Sequence, residues 1–192
     1  MTIRLIACIA ATALAFGAVA GVADARAKHE HHHAKKSLKP ESFDGSCEFS
    51  GAVTFTPPMT TSPQPVAQHA DAPGTCTGRF VDKYGGTHQL DGAVARYRAE
   101  SSGDQVSCAF GLASGTGTLT FPDGAIAFAM SEYRPAATPL IHLTGARGGE
   151  AWMPVTPSQS SDPAAAVQAC NGAGLERFDL DAHMQTTEAL HG

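Results

Sequence analysis

Between Ser46 and Thr56, the positions Cys47, Phe49, Gly51, Val53 and Phe55 alternate with Glu48, Ser50, Ala52, Thr54 and Thr56. A period of two puts the first set on one face of a strand and the second on the other. The same alternation returns along most of the chain. Cys76, Gly78 and Phe80 form a second inward set, and Gly85-Gly86 then turns the chain. Leu90–Ala99 reads as a third strand with Val94 inward, although Arg96 interrupts the pattern. Val106, Cys108, Phe110 and Leu112 line a fourth, and Leu119 and Phe121 a fifth, opposite Thr116, Thr118 and Thr120. Pro122-Asp123-Gly124 is a turn, because proline presets one φ and glycine accepts a positive one. The next run carries Ile126, Phe128 and Met130 on one face and alanines on the other. Leu140–Thr144, Ala151–Val155 and a last run with Phe178, Leu180, Ala182 and Met184 on one face complete the strands.

One segment reads as helix. Asp162 can cap it, Pro163 suits the first helical position, Ala164–Cys170 continue it, and Asn171-Gly172 stop it. It is so short that only docking can hold it. Short strands separated by turn chemistry predict an all-β domain, an antiparallel β-sandwich or barrel of roughly 8–9 strands with one short helix near the C-terminus. Pro57–Gly74 stands apart: it holds five prolines and reads as a long surface loop without a strand pattern.

Composition changes the picture at the N-terminus. Arg4 precedes an apolar run from Leu5 to Ala20, and Ala-x-Ala follows at Ala23/Ala25 and Ala25/Ala27. This is the three-part layout of a secretory signal peptide. Residues 1–27 are expected to be removed, 28–43 to form a disordered His/Lys-rich tether, and 44–192 to fold as a single β domain. Removal leaves 11 Lys+Arg against 17 Asp+Glu, a mildly acidic chain. No basic patch points to nucleic acid. After signal removal no apolar run is long enough to span a bilayer. Nothing in the sequence names a partner. From Ser42 onward Lys83 is the only lysine, a bias that suggests a GC-rich bacterial genome. The location expected is outside the cytoplasm, secreted or in the cell envelope.

Four cysteines remain after Cys8 leaves with the signal. An even count in an exported chain implies disulfides. Three pairings are open. Cys47–Cys76 and Cys108–Cys170 are favoured; they close loops of about 30 and about 63 residues, which a chain-entropy model values at roughly 3.6 and 4.3 kcal/mol. No C-x-x-C pair offers a cysteine zinc site.

The layout CEFSGAVTFTPPMT, then GTCTGRF, then SCAFGLASGTGTLTF resembles small exported proteins of GC-rich bacteria that carry no assigned activity. The resemblance covers about residues 46–121. It implies export and bridged cysteines, and no catalytic residue.

Two constellations could carry chemistry. His29-Glu30-His31-His32-His33 satisfies H-E-x-x-H, the zinc-protease pattern. That chemistry needs a rigid, docked helix and a further ligand, and no apolar stripe flanks this tract. It reads instead as a solvated segment in which His29, His31, His32 and His33 could chelate Zn, Cu or Ni weakly. No other cofactor is implied. Arg177, Asp179, Asp181 and His183 share the outward face of the last strand. Carboxylates two residues apart there stand about 7 Å from each other, a distance that suits a shared cation or acid/base work. The plainer reading is a water-facing surface. Trp152 reads as core packing. The leading expectation is a non-catalytic extracellular or cell-envelope binding or structural module. The alternatives are a metal-binding protein using the tether and a hydrolase using Asp179, Asp181 and His183.

Overall fold

The alternation seen at Ser46–Thr56 runs further in both directions, from Phe43 to Met59, with both ends buried. A computed structural model describes residues 38–135 and 139–192. The segment expected to be a signal peptide, the His tract and the expected tether up to residue 37 lie outside the described residues. The last two residues assigned to that tether, Ser42 and Phe43, belong to the first strand. The elements in order are β1 (Ser42–Met59), β2 (Gln64–Val81), β3 (Thr87–Val106), β4 (Phe110–Phe121), β5 (Gly124–Pro135), β6 (Leu140–Gly145), β7 (Glu150–Pro157), α1 (Pro163–Asn171), β8 (Leu175–Glu188) and β9 (Leu190–His191).

From β1 to β8 each strand pairs antiparallel with the next, and β8 returns to pair with β1. The result is a closed eight-strand barrel with one extra short strand, β9, against the start of β1. Closure satisfies both sheet edges within the molecule. A barrel of this strand number has room inside for packed side chains or one small ligand.

The two ends differ. At one end Phe43, Phe80, Ile126 and Leu190 are fully buried, and the rings of Phe43 and Phe80 lie 5.0 and 4.9 Å from that of Phe121. On the rim of this filled end His88 sits 3.0 Å from Asp82 and 3.3 Å from Asp123, linking the β2–β3 and β4–β5 turns. At the other end a smaller cluster of Val53, Phe55, Met59, Val66 and Val106 surrounds a mouth. The outer wall carries charge, including Glu48, Arg96, Arg98, Glu100 and Arg177. An apolar interior with a charged outside is the reverse of a barrel that spans a bilayer. Among the described residues no helix is long and apolar enough to cross a membrane.

Both disulfides support this frame. Cys47 and Cys76 face each other across β1 and β2 with Cα atoms 4.1 Å apart, buried in the barrel lining. Cys108, in the β3–β4 turn, is bonded to Cys170 in the last turn of α1. The β3–β4 and β7–β8 connections lie on opposite sides of the eight-strand ring, so this bond straps α1 across the mouth. The disulfides and the lack of a spanning helix among the described residues are compatible with an extracytoplasmic protein.

Four local expectations are corrected. Pro57–Gly74 is not a long loop: only residues 60–63 separate β1 from β2. Its strand prolines sit where pairing with at least one neighbouring strand is interrupted, the places where a missing N–H is tolerated. Pro57 and Pro58 fall in the β1–β8 register shift, Pro65 in the β2–β3 shift, and Pro73 beside the gap in the β1–β2 ladder. Val94 points outward, because a bulge at Gly92 (φ 64°) reverses the phase of β3 and turns Ala95, Tyr97 and Ala99 inward. Val106 and Phe110 belong to different strands, since Ser107–Ala109 make a tight turn closed by Ser107 N–H donating to the Phe110 carbonyl at 2.8 Å. Phe110 and Leu112 then face outward. Trp152 also lies on the outer wall, its ring 4.4 Å from that of His142, while Met153 takes the inward place.

Candidate functional site

On β5 the inward phase of Ile126, Phe128 and Met130 continues for two more steps, to Glu132 and Arg134. Strand geometry therefore carries a carboxylate and a guanidinium into the barrel. Both side chains are 6% exposed. Arg134 Nη2 and Nε donate to Glu132 Oε1 at 2.6 and 3.0 Å. From β1, Met59 Sδ accepts from Arg134 Nη1 at 2.9 Å, and the Phe55 ring lies 5.6 Å from the guanidinium. From β2, Gln68 Oε1 accepts from Arg134 Nη2 at 3.4 Å. Tyr97 of β3 completes the cluster. Its burial, and secondarily the charge of Glu132, hold its phenol above the ordinary range, so it stays neutral.

One polar atom in this cluster is left over. Gln68 is 4% exposed, and its Nε2 has no hydrogen-bond partner among the described residues. A buried donor in that state costs about 1–3 kcal/mol. Turning the amide over would relieve nothing, because N–H groups would then face Arg134 N–H groups.

Toward the mouth the cluster meets a cavity of about 460 Å³. Phe55, Met59, Leu175, Phe178 and Leu180 form its walls, Ala166 and Val167 of α1 its roof, and Arg134 its floor. Five residues, among them Arg134 and Val155, also line a smaller hollow of about 40 Å³ deeper in the barrel, where Gln68 lies. The roof is lightly held. Asp162 caps α1 by accepting from Ala164 N–H and Ala165 N–H at 2.9 and 3.1 Å, yet no residue of the helix is buried. Cys108–Cys170 is its covalent tie to the opposite rim. The arrangement is an apolar chamber with a neutral ion pair and an unmet donor at its base.

No family model, curated protein or solved structure matches the chain. The geometry therefore carries the functional argument alone.

The residues singled out in the sequence fall elsewhere. Arg177, Asp179, Asp181 and His183 lie along the outer face of β8. Arg177 Nη2 donates to Asp179 Oδ1 at 2.8 Å, and His183 Nδ1 meets Glu48 Oε1 on the neighbouring β1. Arg177 and Asp179 border an open depression of the outer wall together with Asp71 and Arg96. Arg96 grips Asp71 through two N–H···O contacts and holds its carboxyl below the usual carboxylate range. Arg177 with Asp179 and His183 with Glu48 thus form separate contacts along β8 rather than one gathered site, and Asp181 joins neither pair. His29, His31, His32 and His33 lie outside the described residues. Among the described residues no group of three or more His, Cys, Asp or Glu side chains could hold a metal ion.

The inner cluster of Gln68, Tyr97, Glu132 and Arg134 was not singled out by sequence reasoning. Extending the β5 phase beyond Met130 would have found Glu132 and Arg134. Gln68 carried no such signal, because its strand was hidden among prolines.

Proposed function

We propose that this protein is an exported, non-catalytic β-barrel module that binds a small, largely apolar molecule in its mouth. The observation that carries this reading is the apolar cavity of about 460 Å³ between the buried Glu132–Arg134 pair and α1. Small-molecule sites span about 300–1,000 Å³ and combine mostly apolar walls with a few placed polar groups. The ion pair adds an energetic argument. Apolar residues of similar volume commonly serve a fold as well as a buried pair does, so packing alone gives no reason for these charges. Export accords with two disulfides, which persist in oxidising compartments. A bacterial source accords with the amino-acid bias of the chain.

The test is a titration with N-phenyl-1-naphthylamine, a neutral fluorophore that brightens in apolar surroundings. Saturable binding is expected in the wild type. Ala166→Trp, which pushes an indole from α1 into the mouth, is expected to weaken it about tenfold or more, a loss of about 1.4 kcal/mol or more. Unsaturable fluorescence, or equal affinity in the filled variant, would remove the proposal.

A further inference from the structure

The base of the mouth has a chemical preference. Arg134 Nη1 reaches the thioether of Met59, a weak acceptor, and Met59 also lines the mouth. Gln68 Nε2, deeper in, has no acceptor among the described residues. Arg134 and Gln68 touch, Arg134 Nη2 donating to Gln68 Oε1 at 3.4 Å, so two side chains in contact each keep one donor that lacks a good oxygen. Charge narrows the choice. Glu132 already offsets Arg134, so the cluster sums to zero. A carboxylate entering the hollow would stand beside Glu132 in a medium where like charges repel strongly. A cation would meet Arg134. The hollow of about 40 Å³ beside Gln68 is about the size of one oxygen-bearing group.

Resting on the barrel-mouth reading, we infer that the ligand is a neutral amphiphile: an uncharged acceptor head, a carbonyl, ester or hydroxyl oxygen, sits against Gln68 Nε2 and Arg134 Nη1, and its apolar chain fills the mouth beneath α1. Gln68 is then the specificity residue and Arg134 the floor that orients the head.

Competition against bound N-phenyl-1-naphthylamine tests this with four chain-matched amphiphiles: 2-dodecanone, dodecan-1-ol, dodecanoate and dodecylammonium. In the wild type the ketone and the alcohol displace the probe at concentrations about tenfold below those of the two ions, a preference of about 1.4 kcal/mol. Gln68→Leu, which removes the donor, erases most of the preference for ketone over carboxylate. Gln68→Glu keeps the shape and the acceptor for Arg134 but replaces the donor by an anion. It reverses the order, so that dodecylammonium displaces best. A readout on the wild type alone stands beside these variants: the infrared carbonyl stretch of bound 2-dodecanone moves to lower wavenumber than in hexane. Dodecanoate binding as tightly as the ketone overturns the inference, and so does an unshifted carbonyl stretch. A ketone preference that survives both Gln68 variants overturns it too, because buried water would then be meeting that donor. These results leave the mouth as a binding site. Absence of saturable probe binding to the wild type removes that reading and the inference together.

Discussion

Taking a guanidinium and a carboxylate out of water together is expensive, and Arg134 and Glu132 recover that cost only while both are present. Arg134→Met strands Glu132 in an apolar barrel and is expected to cost about 3–5 kcal/mol in urea unfolding. The double variant Glu132→Leu/Arg134→Met leaves no orphan charge. Its stability is expected to equal the wild type's or exceed it by about 1–4 kcal/mol. A double variant as unstable as the single one would mean that the pair serves packing and nothing more. At this scale the sequence was half legible. Cys47, Phe49, Val53 and Phe55 announce an inward face because each is apolar. Glu132 and Arg134 occupy that same phase on β5, but their charge disguises them, and only the period reveals them. Gln68 is itself polar, and the in-phase residues beside it, Val66, Ala70 and Ala72, are small and set among prolines, so the inward face is faint there.

At the scale of the element, α1 is the part least able to stand alone. It has nine residues, a good cap at Asp162 and no buried side chain. Isolated helices of that length do not persist in water. The strap to Cys108 is therefore expected to govern it. In Cys108→Ser/Cys170→Ser, amide exchange is expected to rise sharply over 164–171 while β1–β8 stay protected, and the probe is expected to leave the mouth faster. Uniform loss of protection across the barrel would show instead that the bond holds the whole fold. The helix was readable because capping is local: Asp162, Pro163 and Gly172 need no distant partner. β2 was not, because the prolines at 57, 58, 65 and 73 argue locally against a strand. They are tolerated only through ladder interruptions that neighbouring strands create. Gly92 shows the same limit, since a bulge is a property of a pair of strands.

For the molecule as a whole, period-two patterning is equally consistent with a sandwich and a barrel; what separates them is one seam, β1 against β8. The filled end adds a pH dependence. Asp82 is held at about 2, first by His88 and then by the backbone N–H of Gly86, and His88 is raised above 6.5 chiefly by Asp82. The stability due to His88 is complete below 6.5 and disappears as pH rises through its folded-state value. That due to Asp82 is present above 3.8 and is lost as pH falls toward about 2. Proton NMR is expected to place the His88 midpoint above 6.5 in the wild type and lower in Asp82→Asn. An unchanged midpoint would dismiss the link. The closing seam has its own consequence. Glu48 and His183 meet across it although 135 positions separate them. Seven of the eight seams can form between strands adjacent in the chain, but the outer side of β1 must wait for β8, near the far end of the polypeptide. Until then it is a bare template for any passing strand. The folding chain is most vulnerable to exchanging strands with a second copy just before that last pairing is made.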